Sequence, residues 1–248
     1  MTLITGVRFD NYVIVSCDSS YQLVYYDMET GEEIDTHFSK LDETKSKVKK
    51  LTNKVLYGMG GTEQGHELIL DRVADKLQPN DDINKCRQVI WEVVQELTES
   101  DYYFKSILEQ DSIGGNLVGF NRDGTSSQYV MMIGKETPNS FENLPDNFSM
   151  LNPYGFKEYI SGHVFGLGNP HGKMDFKTIS KTVQLVHGTL SYVNPNYVSS
   201  DCTLYIIKKR KKKGEYQYQF EKTTVDTSYY QTQLPSQKEV EAWLYQRM

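Results

Sequence analysis

Two stretches decide how this chain is read: "MTLITGVRFDNYVIVSCDSS", residues 1–20, and "SKVKKLTNKVLYGMGGTEQG", residues 46–65. In the first, apolar-rich runs at 2–8 and 12–18 flank Asp10-Asn11. Val13 and Val15 share one face and Ile14 and Ser16 the other. That period of two predicts a pair of strands turning at Asp10-Asn11. The second strand ends on a carboxylate, Asp18. In the other stretch, 48–51 and 54–59 predict a hairpin around Thr52-Asn53. Gly58, Gly60 and Gly61 are expected to stop its second strand. Thr62 then stands where a helix would be capped.

Working outward, 21–26 reads as a third strand, turned at Glu29-Thr30-Gly31. Ile69, Val73 and Leu77 recur four apart, as one face of a helix requires. Ile83, Cys86, Ile90, Val93 and Leu97 predict a second helix, capped by Asp81 or Asp82. It either continues or breaks and restarts through Tyr102 to Leu108. "NLVGF" and "SQYVMMIG" flank Asn121-Arg122-Asp123-Gly124, and Asp-Gly is a strong hairpin signal. Residues 135–156 hold Pro138, Pro145 and Pro153 and read as a long loop or insertion. Phe176, Ile179, Val183, Val186 and Leu190 predict a third helix. "TLYII" and "YQYQFEK" read as strands linked by "KKRKKKG". Val240, Trp243 and Leu244 mark a short amphipathic tail. Runs of strands and runs of helices, rather than strict alternation, predict an α+β layered fold. No internal repeat or linker divides the chain, so 1–248 is expected to be one domain.

Composition narrows the function classes. The chain has 248 residues and a net charge of −6, which argues against nucleic acid as its partner. The basic run 208–213 fits an exposed hairpin tip that discourages edge aggregation, or a dock for an acidic partner. Cys17, Cys86 and Cys202 are widely spaced with no C-x-x-C pair, so neither a disulfide framework nor a zinc knuckle is expected. His37, His66, His163, His171 and His187 lack metal-ligand spacing; His66 reads as a surface or packing residue. No metal or organic cofactor is expected. No signal peptide is recognised and no apolar run could span a membrane, so a cytoplasmic protein is expected.

Thr2 is the candidate nucleophile. If Met1 is removed, the threonine hydroxyl is a nucleophile and the free α-amine on the same residue can be its base. That amine ordinarily titrates near 8, so a nearby positive charge would keep it largely neutral at pH 7. "TLITGVRFDNYVIVSCDSS" resembles the first hairpin of the proteasome β-subunit family and its simpler bacterial threonine-peptidase relatives, which are N-terminal nucleophile hydrolases. In that family the N-terminal threonine precedes an aspartate by sixteen positions, as Thr2 precedes Asp18 here. "KVKKLTNKVLYGMGGTEQG" looks like the second hallmark, with Lys47 at the family's lysine and Gly60-Gly61 at its paired small residues. Strand alternation leaves Lys45 and Lys49 as competitors for that place.

The resemblance implies a four-layer α/β/β/α sandwich and threonine-type hydrolysis of peptides or amides. It implies that Thr2 attacks, that Lys47 lowers the proton affinity of the attacking group, and that Asp18 orients Lys47. Gly60 N–H would be an oxyanion donor, and Gly58, Gly61 and Thr62 would shape the substrate pocket. It implies peptide or protein substrates, a ring-shaped homo-oligomer, and in some relatives an ATP-driven unfoldase partner. The sequence also departs from the family. "FGLGNPHG" puts Leu167 where a supporting serine is usual. "NPNYVSSD" puts Asn196 where an aspartate is usual, with Ser199 kept and Ser200-Asp201 replacing two glycines. Asparagine keeps a hydrogen bond but not the charge. A non-proteolytic amidase and a catalytically silent, self-assembling scaffold are the rival readings.

Overall fold

The computed structural model describes residues 3–26, 33–40, 46–135, 139–151, 175–195, 197–231, 236 and 238. Strands β1 (Ile4–Arg8), β2 (Tyr12–Asp18), β10 (Phe148–Leu151), β11 (Asp201–Lys212) and β12 (Glu215–Asp226) form one sheet in the order β10-β1-β2-β11-β12. Strands β5 (Val48–Lys50), β6 (Val55–Gly61), β7 (Ile113–Phe120), β8 (Ser126–Ile133) and β9 (Ser140–Asn143) form a second, in sequence order. Strands β3 (Ser20–Tyr26) and β4 (Glu33–Lys40) pair with each other. All pairings are antiparallel. The helices are α1 (Glu63–Ala74), α2 (Ile83–Ser100), α3 (Tyr102–Gln110), α4 (Phe176–Val193) and a single turn, α5 (Ser228–Gln231). The content is α+β.

Alternation along β2 explains how the sheets are buried. Val13, Val15 and Cys17 pack with Val48, Leu56, Val118 and Phe120 of the second sheet. Ile14, from the opposite face, packs with Ile179, Val183 and Val186 of α4. The other face of the second sheet, through Tyr57, Leu117 and Met131, packs with Ile69, Ile90 and Phe104 of α1, α2 and α3. Buried on both faces, β2 contains no exposed residue beyond its half-buried first position. Burial of a side chain of this kind contributes about 1.5–3 kcal/mol.

Aspartates set the helix starts. Asp82 accepts from Lys85 N at 3.0 Å and caps α2. Asp101 ends α2 and restarts the chain as α3 by accepting from Phe104 N at 3.0 Å, so the helix breaks rather than continues. Asp175 does the same for α4 through Thr178 N. Each cap satisfies an amide that the first turn leaves without an intrahelical partner. Thr62 occupies the N-cap of α1 but makes no side-chain cap bond.

Several expectations need correction. Gly58 and Gly60 do not stop the strand: β6 runs through both and ends only at Gly61. Leu77 lies beyond the end of α1, though it still packs on the same core. The 135–156 segment is not all loop, since it supplies β9 and β10 as edge strands of the two sheets. The basic run is not the connection itself. It lies within β11 to Lys212, and the turn is Lys213-Gly214, where both φ angles are positive. Strand β4 had no sequence forecast. The 29–31 turn and the 240–244 tail lie outside the described residues.

Gly58 shows how closely the sheets approach. A Cβ there would lie 2.6 Å from Ile4 Cγ2 and 3.1 Å from Val15 Cγ1. Both belong to the other sheet, so the glycine has a packing reason whatever else it does. Gly58→Ala is expected to destabilise by about 1–3 kcal/mol through overpacking. A lower urea midpoint at unchanged m-value would show it.

Candidate active site

The candidate site forms at the end of β2. Asp18 is 1% exposed and Lys47, just ahead of β5, is 7% exposed. Lys47 Nζ lies 2.8 Å from Asp18 Oδ1 and also donates to the Ser20 carbonyl. Leu3 N donates to Asp18 Oδ1 at 3.0 Å, and Ser20 N to Oδ2 at 2.9 Å. One carboxylate thus gathers two backbone amides and an ammonium. Charge-assisted bonds of this kind are about twice as strong as neutral ones.

Lys47 is the lysine brought to Asp18. Lys49 is exposed, and Lys45 lies outside the described residues. Position explains the difference. The Lys47 carbonyl accepts from Met59 N at 2.8 Å, which fixes it beside the Gly58–Gly60 segment of β6. Lys49 follows within β5, opposite Tyr57.

Ser199 joins from the β11 side. Ser19 N donates to Ser199 Oγ at 2.9 Å, and the two hydroxyls are 3.0 Å apart. Ser19 Oγ also donates to Asp201 Oδ2 at 3.2 Å. Asp201 therefore takes part in holding the residue next to Asp18. Thr2, Asn196 and the 165–172 segment with Leu167 lie outside the described residues.

Gly60 is buried and pairs with Gly114 of β7. Its carbonyl accepts from His66 Nε2 at 2.9 Å, and His66 Nδ1 lies 3.2 Å from Tyr57 Oη. A carbonyl can only accept, so Nε2 carries the hydrogen and Nδ1 accepts from the tyrosine. His66 is thus a packing residue, 1% exposed. It fixes the peptide at Gly60, a role not assigned from the sequence. The one available signal was its place on the first turn of α1, six residues after Gly60. Gly61 needs glycine outright: its φ is +86°, and a Cβ would lie 2.0 Å from the Ser112 carbonyl oxygen. Gly60 is less constrained, since a Cβ there would make ordinary contacts at 3.4–3.8 Å. Thr62 is half-buried.

A second buried histidine lies behind the carboxylate. His187 Nε2 of α4 is 2.8 Å from Ser16 Oγ, which also bonds Thr5 Oγ1. Ser16 lies two residues before Asp18 on the same face of β2. Burial holds both His66 and His187 down to about 4, so both are neutral at pH 7.

Among the described residues, no cluster of histidine, cysteine and acidic side chains is arranged to hold a metal ion. Among the same residues, no helix is long and apolar enough to cross a membrane.

The fold has solved counterparts. No family model matches the chain, and no curated protein matches its sequence. Similar architectures occur in two Anbu structures. One is a helical assembly of the Anbu complex from Pseudomonas aeruginosa, with TM-score 0.62 and 11% identity, covering 99% of this chain and 95% of that one. The other is an Anbu (Gly-1) mutant from Hyphomicrobium sp. strain MC1, with TM-score 0.56 and 10% identity, covering 99% and 97%. At these identities the likeness is one of fold.

Two measurements probe the site. Asp18→Ala leaves the Lys47 ammonium buried without its counter-charge and is expected to destabilise by about 3–5 kcal/mol, read by urea denaturation. The histidines set a pH dependence. Unfolded, they titrate near 6.5; folded, near 4. Between these limits the unfolded chain binds more protons. Their stabilising effect is therefore complete above pH 6.5 and is lost as pH falls toward 4. The slope is up to roughly 1.4 kcal/mol per pH unit for each ring. His66→Gln should make the slope of stability against pH shallower by about that amount.

Proposed function

We propose that this chain is a proteasome-like hydrolase of peptides or amides that uses Thr2 as an N-terminal nucleophile after Met1 is removed. One observation carries the reading. The Asp18 carboxylate holds the Lys47 ammonium and, through the same oxygen, the amide of Leu3, the residue that follows Thr2 in the chain. The Anbu-like fold supports it. The proposed architecture is a single domain over 1–248, a four-layer α/β/β/α sandwich. The division of the core into an α4-side, an inter-sheet and an α1–α3-side cluster supports that layering.

In this mechanism Thr2 Oγ attacks the carbonyl carbon of the scissile bond while the Thr2 α-amine takes the hydroxyl proton. Lys47 lowers the proton affinity of the reacting groups by its charge, and Asp18 keeps it oriented. The negative oxygen of the tetrahedral intermediate would be met by the Gly60 N–H; one such donor is typically worth about 3–4 kcal/mol of barrier. Collapse returns the proton to the leaving amine and leaves an ester on Thr2. Water, deprotonated by the same α-amine, then hydrolyses that ester and frees the enzyme. Ser199 and Asn196 would support the Asp18 side, and Gly58, Gly61 and Thr62 would border the substrate. The helical assembly of the Pseudomonas Anbu complex supports self-assembly, as an open helix or a closed ring.

Intact-mass analysis of the purified protein should show loss of one methionine. An epoxyketone or β-lactone probe should then add covalently. Thr2→Ala is expected to abolish that adduct while circular dichroism stays unchanged. Lys47→Ala should slow it at least about 100-fold, and Lys49→Ala should not. Methionine retained on every chain, with no adduct, would instead favour the silent scaffold. Turnover of small amides without turnover of peptides would favour the amidase.

A further inference from the structure

Six consecutive cations, 208–213, run along β11 to its turn with β12. Register sets Lys209 against Tyr218 and Lys211 against Tyr216. Alternation therefore puts these pairs and Phe220 on one face. Lys50 of β5 and Lys54 of the turn before β6 reach over Phe220 and Tyr218, each at 5.5 Å from the ring centroid. Tyr216 is 40% exposed and Phe220 38%. Tyr218 packs against Phe120 of the second sheet, ring centroids 5.3 Å apart, but β12 is the edge of its sheet and residues 210–213 are exposed, so the edge and tip of the hairpin are open to a partner.

The opposite surface exists on the same chain. Between positions 63 and 111, which include α1–α3, twelve carboxylates stand against five cations. Two aromatic side chains project there at the start of α3: Tyr102 is 87% exposed and Tyr103 54%. The ion pairs formed among these described helical residues join Arg72 and Lys76 to Glu96 and Asp101. None joins the helices to the β11–β12 hairpin.

We infer that the β11–β12 hairpin of one protomer docks on the α1–α3 face of another copy of this chain. The two surfaces differ, oppose each other in charge, and each carries exposed aromatic rings. A contact between unlike surfaces is heterologous, and repeats of it make a ring or a helix. Aromatic side chains supply the centre of such a contact, and charge complementarity sets its register and its choice of partner. The acidity of the chain as a whole, −6, favours a protein partner over a nucleic acid. The inference rests on the self-assembly part of the reading above and not on its hydrolase part.

Sedimentation velocity of the full chain tests it with two variants. One is Lys211→Glu with Lys212→Glu; the other is Glu99→Lys with Glu109→Lys. All four positions are exposed, and circular dichroism checks that both variants fold. The wild-type chain should assemble at low salt and weaken at about 0.5 M salt, where the screening length falls to roughly 4 Å. Each variant alone should associate at least about tenfold more weakly. An equimolar mixture should recover assembly, because each reversed surface then meets its complement. Assembly unaffected by either variant, or no recovery on mixing, overturns the inference. Normal assembly by the lysine variant, combined with loss of binding to a fluorescent oligothymidine, would make the hairpin a nucleic-acid surface and also overturns it. A wild-type chain that stays monomeric at every salt concentration defeats self-assembly itself. Probe labelling of Thr2 would still report separately on the hydrolase reading.

Discussion

The buried pair of Lys47 and Asp18 is the interaction on which the rest depends. Taking two charges out of water costs several kcal/mol for each, and their attraction offsets this only if the geometry is good and the remaining valences are satisfied. Here they are. Both carboxylate oxygens take backbone amides, and the ammonium also reaches the Ser20 carbonyl. The arrangement ties the start of β1, the end of β2 and the approach to β5 together. These belong to three places in the chain and to both sheets. Apolar side chains in their place would leave the Leu3 and Ser20 amides and the Ser20 carbonyl without these partners.

Close approach is the second constraint. The β6 glycines serve different purposes although they look alike in sequence. Gly58 lets the sheets meet, because Ile4 and Val15 fill the space its side chain would take. Gly61 takes a positive φ beside Ser112, a conformation that glycine adopts without a Cβ clash. Gly60 needs neither. What sets it apart is the hydrogen bond from His66 to its carbonyl, which fixes the orientation of the peptide. The neutral ring matters for this: burial keeps His66 uncharged, so Nδ1 can accept from Tyr57 while Nε2 donates.

Much of this was legible in the sequence, for physical reasons. Strand β2 was read to the residue, because alternation and a terminal carboxylate mark it. The helices were read from their apolar spacing, and Asp82 as one of two candidate caps from its place before it, whereas the Asp101 cap was not foreseen. The α+β content followed from element order. Other parts were hidden. Short edge strands such as β9 and β10 are made by pairing with distant strands rather than by local propensity, so prolines in the same segment masked them. The extent of β11 was hidden because six cations look like a turn, whereas an edge hairpin keeps them in water on an ordinary strand. His66 was read only as a surface or packing residue and His187 was given no role, since their hydrogen bonds depend on which carbonyl or hydroxyl the fold brings near.

The polar cluster behind Asp18 carries the last step. Thr5 and Ser16 are cross-strand partners in the β1–β2 register, both are fully buried, and their hydroxyls bond each other and His187. An apolar pair in those places would pack as well and leave no polar atom to satisfy. Apolar side chains, however, tolerate a slip. Moving β1 by one residue along β2 would turn every side chain to the other face. It would also withdraw the Leu3 amide from Asp18. With a hydroxyl on each strand and an imidazole from α4, the observed register pairs Thr5 with Ser16 and Ser16 with His187 Nε2, and a slip that left these groups unsatisfied would cost about 1–3 kcal/mol for each. The cluster thus makes the register specific, and the register delivers the start of the chain to the carboxylate that holds Lys47.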